Sequence, residues 1–121
     1  MVEKLGDLRV YQSALELSHG AWEIYSGLPK EFRFDIGSQF LRAVDSIGAN
    51  IAEGFGRFHY KDKTKFYYNA RGSLWETKHW IYLLHKRQFI DKERFDAFMK
   101  KIQETGKLLN NFIKAMGESD G

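Results

Sequence analysis

Apolar side chains recur every three or four residues in four successive stretches of this chain, and that spacing leaves few folds open. In the first stretch Val10, Ala14, Leu17, Ala21, Ile24 and Leu28 advance by 4, 3, 4, 3 and 4 positions, which places all six on one side of a 3.6-residue helix. Ile36, Phe40, Val44, Ile47, Ile51 and Phe55 form a second seam. Tyr67, Ala70, Leu74, Thr77, Ile81 and Leu84 form a third, and Phe95, Phe98, Ile102, Thr105, Leu109, Phe112 and Met116 a fourth. A helix with one apolar side must bury it against other helices, and seams of matched length joined by short connections favour up-down-up-down packing. The spacing therefore predicts an all-α chain, an antiparallel up-down-up-down four-helix bundle occupying residues 1–121 as one domain, with helices over about 8–27, 35–54, 62–87 and 91–116.

Local punctuation agrees with these bounds. Asp7 and Asp91 are placed to cap the first and fourth helices, and Gly27-Leu28-Pro29 stops the first because proline removes a donor and drives its predecessor out of the helical region. Gly54-Phe55-Gly56 offers a left-handed end for the second helix, and the polar stretch after Met116 is expected to fray. Gly20, Gly48, Gly72 and Gly106 fall inside helices, each at a cost of about 1 kcal/mol relative to alanine. Close helix crossing is the ordinary explanation, and approach of a ligand or a second subunit is the other.

Composition narrows the functional classes. The 121 residues contain no cysteine, so disulfides, thiolate metal sites and thiol nucleophiles are excluded. The first nine residues lack the apolar core of a signal peptide and no apolar run approaches the ~18 residues of a membrane span, so a cytoplasmic protein with no membrane partner is expected. A net charge of +3 says little, but its distribution says more. Residues 57–87 hold eight basic and two acidic residues, net +6, whereas the remainder holds eleven basic and fourteen acidic, net −3.

That basic segment coincides with an aromatic stripe. Tyr68, Trp75 and Tyr82 repeat every seven residues along the third helix, with Arg71 and Lys78 between them. Such a face can stack on unpaired bases while its cations neutralise phosphate, and Arg57, Lys61, Lys63 and Lys65 extend the field through the preceding loop. The same residue types also carry binding energy between subunits. Tyr11, Leu15, Trp22 and Tyr25 lie beside the first helix's seam, and 16% aromatic residues exceed what one bundle core absorbs, so a homo-oligomer is expected.

Other constellations carry less. Asn50 and Glu53 on the second helix and Arg71, Ser73 and Glu76 on the third read as a polar network fixing helix register, or else as a pocket. Glu16-Leu-Ser-His19 and Glu76-Thr-Lys-His79 match the Glu-x-x-His pairs of di-iron bundles, but both pairs fall outside the seams, so no metal is expected. There is no phosphate-binding glycine loop and no activated nucleophile, so neither an enzyme nor a cofactor is expected.

Ser46-Ile-Gly-Ala-Asn50-Ile-Ala-Glu53-Gly54-Phe-Gly-Arg57, followed by Ala70-Arg-Gly-Ser73-Leu-Trp-Glu76, resembles the ribosomal-protein-like four-helix bundles encoded in bacterial 23S rRNA intervening sequences. Asp7-Leu-Arg-Val-Tyr-Gln and the Leu28-Pro29 break extend the resemblance over about residues 5–116, with Gly48 standing where that family commonly has proline. The resemblance implies a pentameric homo-oligomer without established enzymatic activity, in which Asn50, Glu53, Arg71, Ser73 and Glu76 are family features. The chain is also distantly similar to the accessory proteins of diversity-generating retroelements, whose basic pentamers associate with nucleic acid and a reverse transcriptase. The resulting expectation is an accessory bundle binding RNA or DNA through Arg57, Lys61, Lys63, Lys65, Arg71 and Lys78, with Tyr11, Trp22, Tyr68, Trp75 and Tyr82 at an interface or stacking. A structural or protein-adaptor oligomer with a protein partner is the rival.

Overall fold

The computed structural model describes the backbone of residues 4–120 and side chains as far as residue 117. It has four long helices: α1 over Arg9–Gly27, α2 over Ser38–Gly56, α3 over Tyr60–Lys86 and α4 over Lys92–Asp120. Contacts between neighbours run in opposite directions along the chain. Ser13, Glu16 and Gly20 of α1 meet Thr105, Lys101 and Phe98 of α4 in that order. Ser46 and Gly54 of α2 meet Ser73 and Tyr67 of α3, and Tyr67, Leu74 and Tyr82 of α3 meet Phe112, Gly106 and Phe95 of α4. Each helix packs against its neighbours in the order α1, α2, α3, α4 and back to α1, so α1 and α3 stand at opposite corners of an antiparallel bundle.

The four seams meet at one core. All six residues of the first seam and all six of the third are buried, and only Phe55, Phe95, Phe112 and Met116 at the ends of the others are half-buried. Phe40 of α2 reaches Phe98 of α4 with ring centroids 5.5 Å apart, closing the bundle along its second diagonal. Burying a leucine, isoleucine or phenylalanine contributes about 1.5–3 kcal/mol, so these seams dominate the folding energy. Three buried Ser and Thr hydroxyls accompany them, of which Thr77 donates to the Ser73 carbonyl at 2.8 Å within α3, and Ser13 and Thr105 meet each other. Thr105 donates to the Lys101 carbonyl at 2.8 Å, so its oxygen accepts from Ser13 at 2.6 Å, and both are satisfied between α1 and α4.

The ends differ from their sequence signals. Asp7 does not cap α1: it lies in a 3-10 turn, Leu5–Asp7, and α1 starts after Leu8 without a side-chain cap. Leu28 is extended, φ −72° and ψ 149°, as its proline neighbour demands, and Arg33 returns to donate to the carbonyls of Leu28 and Ser26 at 3.0 and 2.8 Å. Between α1 and α2 a single turn, Lys30–Phe32, runs into a wide turn, Arg33–Gly37, kinked at Asp35, which moves the start of α2 from 35 to Ser38. Gly54-Phe55-Gly56 adopts no left-handed residue; Lys63 instead donates to the carbonyls of Gly54 and Phe55 at 3.3 and 3.0 Å. Asp91 does cap α4, accepting from the Arg94 amide at 2.8 Å. α4 continues through Gly117 to Asp120 rather than ending near 116.

The glycines separate by cause. The closest crossing is at Gly54, where an added Cβ would lie 2.6 Å from the Tyr67 ring. At Gly106 it would lie 3.0 Å from Leu74, whereas Gly20 and Gly48 have ordinary room and Gly72 meets nothing within 4 Å. Gly54→Ala is therefore expected to lower stability by about 1–3 kcal/mol, because the Tyr67 ring is held against Phe112 and cannot retreat. Gly72→Ala is expected to raise stability by about 0.5–1 kcal/mol; parallel urea unfolding of the two variants checks both signs.

Burial also pushes the Tyr67 hydroxyl up to about 12. The folded state thus holds the Tyr67 proton more tightly than the unfolded chain, whose tyrosines ionise near 10. The contribution is intact below pH 10 and is lost as pH rises towards 12. Urea unfolding between pH 8 and 12 should show an alkaline loss of order 2 kcal/mol that Tyr67→Phe does not share.

Candidate functional site

The basic segment predicted from sequence does not act as one surface, because part of it is spent inside the fold. Arg57 sits just beyond α2, paired with Glu53 at 2.6 Å and stacked over Phe66 at 4.8 Å. Lys63 is half-buried, capping α2 and approaching the Phe55 ring at 5.8 Å. Lys61 and Lys65 are exposed, and their ammonium groups make no hydrogen bond or ion pair among the described residues. Beside them Phe58, which the seam pattern did not single out, is 91% exposed at the tip of the α2–α3 turn.

Arg71, Trp75 and Lys78 come together along the α3 side that faces α4. There the two helices enclose a groove of about 410 Å³ floored by Leu74 and Ile102. The α4 wall supplies Gln103, Lys107, Asn110 and Asn111, none of which sequence reasoning selected. Their spacing over positions 103, 107 and 110 is a polar helix stripe, but a sequence does not say which flank of α4 meets α3. The groove thus holds the cations Arg71, Lys78 and Lys107 and no carboxylate. Lys78 lies over the Trp75 indole, its Nζ 4.1 Å from the ring centroid.

The opposite flank of α4 differs. There Glu16 pairs with Lys101, whose ammonium it holds above the usual lysine range against partial burial, and Glu104 approaches the same lysine at 3.5 Å. A depression lined by Arg9, Glu16, Lys101 and Glu104, and bordered by the same Lys107 that borders the groove, is accordingly mixed in charge.

The other sequence candidates fall in several places. Tyr68, Trp75 and Tyr82 are half or more exposed, as is Trp22 on α1 at the opposite corner. Tyr11 does not join an exposed stripe; it is half-buried against the core beside Gly48. The five polar residues do not form one network. Asn50 donates to its own helix at the Ser46 carbonyl, Glu53 pairs with Arg57, Ser73 bonds Ser46 across the α2–α3 contact, and Glu76 accepts from Trp80. Arg71 joins none of these bonds and borders the groove. Asn50, Glu53 and Glu76 each find a partner four residues away along the chain, which leaves no need for a longer bond between helices. The Glu-x-x-His pairs do not converge either, His19 pairing with Glu23 and His79 edging Trp80.

An antiparallel four-helix bundle with a cationic, carboxylate-free groove between two of its helices defines the class structurally. A family model described as 23S rRNA-intervening sequence protein matches residues 6–111, and the chain belongs to that family. A solved structure from Bacteroides thetaiotaomicron, a protein of unknown function from the S23 ribosomal protein family, is similar with 30% sequence identity and a TM-score of 0.82. That match covers 87% of this chain and 95% of the other. No curated protein matches. No helix among the described residues is long and apolar enough to cross a membrane.

The division of labour among the loop lysines is open to measurement. Lys63→Ala should destabilise the bundle by about 1 kcal/mol through loss of the α2 cap, whereas Lys61→Ala and Lys65→Ala should each stay within about 0.5 kcal/mol in urea unfolding.

Proposed function

We propose that this protein is a non-enzymatic, self-associating accessory bundle of the bacterial cytoplasm that binds RNA or DNA through phosphate contacts along α3. The observation that carries the reading is the charge of the α3–α4 groove, three cations with no carboxylate, whereas the depression on the other α4 flank, which shares Lys107, also holds Glu16 and Glu104. Lys61 and Lys65 add exposed cations nearer the α2–α3 turn, about 80–140° round the helix from Arg71 and Lys78, and Lys61 to Lys78 spans about 25 Å of helix, the length of several phosphates. Arg57 and Lys63 add to the field but have partners of their own.

Self-association is supported by the placement of the exposed aromatics. Leu15 and Trp22 on α1 and Tyr68 and Tyr82 on α3 are about half exposed and lie at opposite corners of the bundle. Two different patches facing opposite ways suit a head-to-tail contact, which gives a ring where the rotation from copy to copy closes and an open filament where it does not. The pentamer implied by the family resemblance is one such ring, and it would bring several copies of the basic surface onto one polymer.

The reading is tested by measuring binding to structured RNA and duplex DNA from 50 to 400 mM salt, with oligomeric mass taken by light scattering in the same buffer. An oligomer whose affinity falls steeply with salt is expected, as is a loss of affinity in the Lys61→Glu/Lys65→Glu double variant with unchanged folding. A monomer overturns the ring. An oligomer that binds neither polymer at 50 mM salt overturns the nucleic-acid reading in favour of a protein adaptor.

A further inference from the structure

The groove between α3 and α4 contains more than a phosphate contact requires. Phosphate needs donors only, and Arg71, Lys78 and Lys107 already provide them. Gln103 and Asn110 add amide groups that both donate and accept, and neither has a hydrogen-bond partner among the described residues. Trp75 stands at the rim 62% exposed, one ring face covered by the Lys78 ammonium. The floor is apolar and buried, formed by Leu74 and Ile102, and Gly106 keeps it open, since a Cβ there would press on Leu74 at 3.0 Å.

From this combination we propose that the groove is a subsite for an unpaired nucleotide of a nucleic-acid strand. Trp75 stacks the base, Gln103 and Asn110 meet its edge, and Arg71 and Lys107 hold the phosphates on either side. The proposal rests on the nucleic-acid reading above and specifies the polymer. A base in a duplex is stacked on its neighbours and cannot reach an indole on a helix surface, so the groove selects single-stranded segments. Its volume of about 410 Å³ suits one nucleotide. Its open form, running along two helices without a backbone nest for a phosphate chain, suits a continuing strand rather than a free nucleotide. Because any base offers a stacking face, the subsite tolerates many sequences.

The test compares a fluorescein-labelled 12-nucleotide oligouridylate with a blunt 20-base-pair duplex, using the full chain at 50–300 mM salt, with AMP and ATP as competitors. Trp75→Ala is expected to weaken oligouridylate binding roughly 5- to 150-fold while leaving duplex affinity unchanged, and Trp75→Phe to restore most of it. Lys107→Gln should lower the slope of log affinity against log salt by about 0.7 for the strand. Trp75 and Lys107 are both exposed, and matching urea-unfolding curves establish that the variants fold. Unchanged strand affinity in Trp75→Ala and Lys107→Gln, together with a loss in Lys61→Glu/Lys65→Glu, overturns the subsite while leaving the nucleic-acid reading standing. Absence of wild-type binding to strand and duplex overturns both. Micromolar competition by AMP or ATP overturns the strand assignment in favour of a free nucleotide.

Discussion

The largely apolar seams of the four helices have to leave water together, because no single helix of this chain has anything to bury against by itself. Everything else in the bundle is arranged around that requirement. Gly54 lets the Tyr67 ring lie on the α2 backbone, which brings α2 and α3 close enough for a connection of only three residues between Gly56 and Tyr60. On the other side, the Ser13–Thr105 hydrogen bond sits where a slip of α1 against α4 would strand the buried Ser13 hydroxyl, Thr105 keeping its bond to the Lys101 carbonyl. A slip of that kind costs about 1–3 kcal/mol for the unpaired group, so this hydroxyl pair fixes a register that the apolar contacts alone would set less strictly.

The seams were legible in the sequence because helix periodicity is a local property: a residue at i faces the same way as those at i+3, i+4 and i+7 whatever it packs against. Every buried position of the first and third seams was visible in this way. The helix ends were less legible because their partners are not neighbours. Arg33 satisfies carbonyls at Ser26 and Leu28, and Lys63 satisfies those at Gly54 and Phe55 in place of the left-handed cap expected of the glycine pair, while the start of α1, where Asp7 was expected, has no side-chain cap. Only Asp91, which caps within its own turn, was readable as a side-chain cap. The one left-handed residue among the described residues, Gln88 at φ 66°, carries no composition signal at all.

The site divides along the same line. Arg71, Trp75 and Lys78 share a helix and their association followed from spacing. Lys107, Gln103 and Asn110 lie some thirty positions away, on a flank of α4 whose direction is decided by how the helices pack. Conversely, the net +6 of residues 57–87 overstated the field available at one surface, because Arg57 and Lys63 face local partners. Charge counted along a sequence measures what a segment contains; the free part depends on which cations the fold has already used to satisfy carbonyls and carboxylates.

Lys78 is the residue on which the two proposals meet. Its ammonium over Trp75 keeps a cation within the groove without a carboxylate partner, and it leaves the other indole face available. A base stacked there would place its phosphates near Lys107 and Arg71, so the same indole that orders one cation would organise the remaining two. Tyr68 and Tyr82, one heptad to either side of Trp75, lie outside the groove, and in the proposed assembly they would meet the α1 corner of a neighbouring copy. In the proposed ring the groove of each subunit would then lie beside a subunit boundary, and a strand leaving one groove would continue directly towards the next.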